Sequence, residues 1–177
     1  MEDAMRNLFL VCLLCLSALP CRAAGKIVSL MPAFTEILFS IGASSQVAGV
    51  SNYCDWPPEA AKLPRVGDLL APDIEKMASL KPAAVLIGKW KSSQTAERLK
   101  KAGLKVYELP DAGNIGGIYA NILAIGEVAG RRKEAAALVA RLKAETLRLK
   151  KTIPARQRLA GIVLVAGLGL EPRTFGL

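Results

Sequence analysis

The residues able to do chemistry are few. Histidine is absent from the 177-residue chain. That removes Ser-His-Asp and Cys-His pairs, HExxH zinc sites and imidazole proton relays together. Of four cysteines, Cys12, Cys15 and Cys21 lie in an apolar N-terminal stretch, and Cys54 stands alone in the remainder. A lone thiol closes no intramolecular disulfide and has no imidazole to deprotonate it, so Cys54 is read as a packed residue. Gly167-Leu168-Gly169 follows an apolar run as the start of a dinucleotide fingerprint would. Pro172 stands where the third glycine is needed, and five residues are left for the helix that must come after it. Acidic residues are scattered, with no pair at metal-ligand spacing, and neither a Walker loop nor a G-x-S-x-G elbow occurs. The expectation is a protein that is not an enzyme and that carries no resident metal or cofactor.

Recognition remains. Aromatic residues make up 5% of the chain, yet Tyr53, Trp56 and Trp90 all follow apolar runs with strand character. In an open α/β sheet, ligands sit beyond the carboxyl ends of the strands. Three aromatics on that rim point to a flat, largely apolar ligand. Asp68 and Leu69 lie in a further loop expected to join them.

The elements that must position this rim alternate. Lys26–Met31, Val47–Val50, Ala84–Ile87 and Lys105–Leu109 read as strands. Pro32 opens a helix to about Ile41, with Gly42 at its end. Asp73 caps a short helix to Leu80, Ser92 or Ser93 caps one to Ala102 before Gly103, and Asn114 caps one to Ala129 before Gly130. Apolar strands alternating with helices predict an α/β fold: a Rossmann-like parallel sheet covered on both faces. Arg132–Ile153 contains no Gly or Pro. Ala135, Leu138, Val139, Leu142, Leu149 and Ile153 fall on one stripe of a helix roughly 33 Å long. Pro154 stops it, and Leu159–Val165 reads as a fifth strand.

Charge and the N-terminus complete the outline. The formal net charge is +9. It is concentrated in residues 131–158, where ten basic side chains face only Glu134 and Glu145. No aromatic interleaves them for base stacking, so the segment is read as a solvated helix face and no nucleic-acid partner is expected. Residues 1–24 have the form of a signal peptide. Arg6 supplies a positive n-region, Leu8–Leu19 an apolar core too short to span a bilayer, and Ala23-Ala24 a cleavage site. Export is expected, to the periplasm or another extracytoplasmic space.

The residues then become specific as an ordered set. Ser29-Leu30-Met31-Pro32-Ala33-Phe34-Thr35-Glu36, Val47-Ala48-Gly49-Val50, Tyr53-Cys54-Asp55-Trp56-Pro57-Pro58-Glu59-Ala60, Leu63-Pro64-Arg65-Val66-Gly67 and Pro72-Asp73-Ile74-Glu75-Lys76 follow one another. This set resembles the helical-backbone solute-binding proteins of ABC importers for cobalamin, ferric siderophores and haem, the vitamin B12-binding proteins in particular. The resemblance covers about residues 26–166. It implies two α/β lobes joined by a long helix, with ligand held between them and no chemistry performed. It implies that Tyr53 and Ala33 border the ligand, and that Glu75 docks onto an ABC permease at the membrane surface. Leu69 and Gly88 stand where the B12-binding members carry tryptophans, with Trp90 close by, so a siderophore or haem competes with a corrinoid as ligand.

The expected organisation is a signal peptide (1–24), an N-terminal ligand-binding lobe (25–130), a backbone helix (131–154) and the start of an incomplete second lobe (155–177). Gly167–Leu177 does not resemble the corresponding segment of the family, and the expectation is a monomer truncated after its first lobe, with impaired binding.

Overall fold

A computed structural model describes residues 25–89 and 93–152. Among the described residues four strands are present: β1 (Ile27–Ser29), β2 (Val47–Val50), β3 (Ala84–Gly88) and β4 (Val106–Leu109). They form one parallel sheet in the order β2-β1-β3-β4. Five helices accompany them: α1 (Pro32–Ser40), α2 (Ile74–Ser79), α3 (Ser93–Lys101), α4 (Ile115–Val128) and α5 (Arg132–Thr152). Short 3₁₀ turns occupy Ser44–Gln46 and Ala60–Lys62. The α/β class expected from alternating runs is the class observed.

Sequence order and strand order together dictate where the helices go. The chain steps from β1 to β2 in one direction, then from β2 over β1 to β3, and on to β4, in the other. Right-handed crossovers therefore put α1 on one face and α2 and α3 on the opposite face. The core agrees. Val28, Leu30, Val85 and Ile87 pack with Met77 of α2 and with Ala96 and Leu99 of α3. On the other face Ser29 meets Thr35 of α1, and α1 packs on α4. β3 is buried along its whole length, as a central parallel strand requires.

The expected punctuation is seen in the geometry. Asp73 accepts a hydrogen bond from the Lys76 amide and Asn114 from the Gly117 amide, both at 3.0 Å. Gly103 and Gly130 close α3 and α4 with φ of +79° and +66°. In α5 Ala135, Leu138 and Val139 are buried, while Leu149 is exposed. Gly126 of α4 lets Ala135 approach so closely that a Cβ at 126 would collide with the alanine's methyl. The chain divides into two compact units within α5, at Val139/Ala140. The sheet and the loops at its strand ends belong wholly to the first. The expected signal peptide, Trp90, the Ser92 cap, the fifth strand Leu159–Val165 and the segment Gly167–Leu177 lie outside the described residues.

Candidate ligand-binding rim

Four parallel strands release the chain on one side of the sheet. Met31–Ala33 follow β1, Ser51–Trp56 follow β2, Lys89 follows β3 and Pro110–Gly113 follow β4. The connections leave in opposite directions after β1 and β3, so the crevice of an open sheet falls between those strands. Gly88 ends β3 there. A Cβ on it would stand 3.4 Å from the Met31 sulfur, so Met31 packs over the strand end.

The segment after β2 is the most exposed aromatic surface of the described residues. Tyr53 is 68% exposed and Trp56 59%, although both follow a fully buried strand end. Beneath them lies a buried polar chain. Ser29 Oγ donates to the Met31 carbonyl, Thr35 Oγ1 sits 2.9 Å from Ser29 Oγ, and Cys54 Sγ is 3.2 Å from both Thr35 Oγ1 and Ser51 Oγ. Cys54 is completely buried, which agrees with its reading as a packed residue. It ties the loop to α1 while Tyr53, one position earlier, turns outward.

A second loop completes the rim. Gly67 accepts from the Asn52 amide at 2.9 Å, joining the two loops. Asp68 turns its carboxylate onto the Leu70 and Ala71 amides at 2.8 and 2.9 Å, an Asx turn that uses its charge locally. Thr95 of α3 donates to the Leu69 carbonyl at 2.9 Å and pins the loop from below. Leu69 itself is half-buried against the core, and Leu70, which the sequence did not single out, is 78% exposed. Ala33 is exposed in the first turn of α1, beside the β1 exit. Tyr53, Asp68, Leu69 and Ala33 thus all lie on loops or a helix start at one end of the sheet. Trp90 lies outside the described residues.

Glu75 is exposed in the first turn of α2, immediately after this loop and at the same end of the sheet. Glu36, in α1, is half-buried, and burial raises its carboxyl pKa above the ordinary range. Among the described residues no group of three or more His, Cys, Asp and Glu converges to hold a metal. A depression of about 440 Å³ lined by Phe39, Ser44, Ser45, Glu59 and Leu63 includes none of the rim residues.

Comparison with known proteins gives the geometry its context. A family model described as periplasmic binding protein matches residues 27–172. An uncharacterized ABC transporter substrate-binding lipoprotein of Bacillus subtilis (strain 168) is 39% identical over 123 residues, covering 68% of this chain and 39% of that protein. The periplasmic vitamin B12-binding protein of Vibrio cholerae superposes with a TM-score of 0.65 at 25% identity, over 73% of this chain and 51% of that one. A periplasmic haem-binding protein of Roseiflexus sp. RS-1 superposes with a TM-score of 0.66 at 25% identity, over 72% and 49%. The chain spans about half of these structures and less of the curated relative.

Proposed function

The chain belongs to the periplasmic binding protein family, and from that premise we propose that it is the ligand-capturing component of an ABC importer for a corrinoid such as cobalamin. The observation that carries this reading is the display of Tyr53 and Trp56, 68% and 59% exposed, on a loop anchored by the buried Cys54 thiol. Exposed aromatic faces on a rigid base suit a large, flat, mostly apolar macrocycle, because stacking gains area without a further ordering cost. Capture involves no bond-making. The protein is exported, binds its ligand at the strand-end rim, and docks through Glu75, whose exposed carboxylate steers it to basic side chains on the permease.

A haem or ferric siderophore is the second reading, favoured by Leu69 and Gly88, which the family resemblance sets against tryptophans of the B12-binding members. Titration of the full chain with cyanocobalamin, hemin and a ferric siderophore, followed by tryptophan fluorescence and ligand absorbance, separates them. Saturation by cyanocobalamin in preference to the other two supports the corrinoid. Preference for hemin or the siderophore replaces it with the second reading, and no saturation by any probe refutes both.

A further inference from the structure

Arg65 sits in the segment Leu63–Gly67, at the outer edge of the sheet. Its backbone is fixed first. Pro64–Val66 runs parallel to the outer edge of β2, with the Val50 amide donating to the Pro64 carbonyl and the Val66 amide to the Val50 carbonyl, both at 3.0 Å. From that base the guanidinium reaches across to the rim. Nη1 donates to the carbonyls of Ser51 at 2.7 Å and Cys54 at 2.9 Å, and Nη2 pairs with the Asp55 carboxylate at 3.2 Å. The two carbonyls flank Tyr53, and Asp55 precedes Trp56.

The loop's own turn bonds are long. Cys54 N to Ser51 O and Asp55 N to Tyr53 O are both 3.2 Å, at the far end of the useful range. The short bonds to the loop carbonyls come from Arg65, and a charged donor makes each stronger than a neutral one. The ion pair with the exposed Asp55 adds little, so the two carbonyls are where the brace acts. Lysine is a poor substitute, because a single ammonium lacks the planar fork that reaches carbonyls and carboxylate together.

We infer that Arg65 is the positioning residue of the aromatic rim, holding Tyr53 and Trp56 in their binding arrangement without touching ligand. The inference rests on the rim being the binding surface, and it names what presets that surface before ligand arrives. Such presetting removes the ordering cost that a loose loop would incur on binding.

Two readouts on the full chain test it. Amide hydrogen exchange in Arg65→Lys and Arg65→Ala should speed up by about tenfold or more at Cys54 and Asp55, with β3 amides unchanged. Lys should fall between Ala and wild type. Equal acceleration in the loop and in β3, or no acceleration in the loop, overturns the inference, as does full recovery by Lys. In binding, Arg65→Lys should weaken cyanocobalamin or hemin, whichever the wild type binds. The loss should shrink to less than about twofold when Tyr53→Ala and Trp56→Ala are already present. An equal loss in both backgrounds overturns it. Failure of the wild type to bind either probe refutes the binding reading, and the exchange comparison then decides the role of Arg65 alone.

Discussion

Replacing Gly67 by alanine strains the rim where its backbone is tightest. Gly67 has φ of +80°, and a Cβ there would run into the Ala71 carbonyl and lie 2.8 Å from the Asp73 amide nitrogen and 3.1 Å from Pro72 Cα. All three are backbone, so no side chain can rotate away. Gly103 has nearly the same φ, +79°, with nothing within 4 Å of where a methyl would stand, so Gly103→Ala isolates the strain of a positive φ. A left-handed alanine costs about 1–2 kcal/mol, offset by about 0.4–1 kcal/mol from the stiffer unfolded chain, leaving about 1 kcal/mol at Gly103. At Gly67 the loop must also open. That puts at risk the Asp68 N–Ala71 O bond at 3.3 Å and the Asp73 N–Val66 O bond at 3.0 Å. At about 1 kcal/mol each, Gly67→Ala should cost about 3 kcal/mol in total. Urea unfolding followed by far-UV circular dichroism measures both variants at a common slope. A Gly67→Ala cost within about 0.5 kcal/mol of the Gly103→Ala cost would refute the close approach on which the rim geometry depends.

Five other substitutions probe the cap, the rings, the docking face and the half-buried acid. Asp73→Ala removes the α2 cap and should lower stability by about 1 kcal/mol in the same unfolding assay. Tyr53→Ala and Trp56→Ala should each weaken the bound probe by about 1 kcal/mol, near fivefold, without lowering the unfolding midpoint, because both side chains are exposed. Glu75→Lys should leave probe affinity unchanged and weaken association with the detergent-solubilised permease, read by pull-down; equal recovery sinks the docking role. Burial raises the Glu36 pKa in the folded state, so the native state binds the extra proton and stability falls as pH rises from the ordinary carboxylate range through the raised value. Glu36→Gln should therefore raise the unfolding midpoint at pH 7, with the gain disappearing below about pH 4.

The sequence made the scaffold legible because its signals are local. Asp73, Asn114, Gly103 and Gly130 mark helix ends through bonds or dihedrals reaching no more than a few residues, and each stands where it was expected. Strand runs were read to within one or two residues for the same reason. The rim was legible in outline, since Tyr53 and Trp56 follow β2 and aromatic residues are scarce. Its detail was not. Which of Leu69 and Leu70 turns outward depends on Thr95 holding the Leu69 carbonyl from 26 residues away. The Arg65 brace spans 11 and 14 residues to its two carbonyls and depends on Pro64–Val66 pairing along β2, which no local pattern announces. The 3₁₀ turn Ser44–Gln46 likewise carries no strong cap or proline signal.

The central claim is that the aromatic rim after β2 captures a flat macrocycle. The most direct measurement is a titration of the full chain and of its Tyr53→Ala/Trp56→Ala double variant with cyanocobalamin and hemin, followed by ligand absorbance so that loss of a tryptophan does not remove the signal. Saturable binding of one of the two by the wild type is expected, with a loss of about tenfold or more in the double variant. No saturable binding of either, or equal affinity with and without the two aromatic rings, would contradict it.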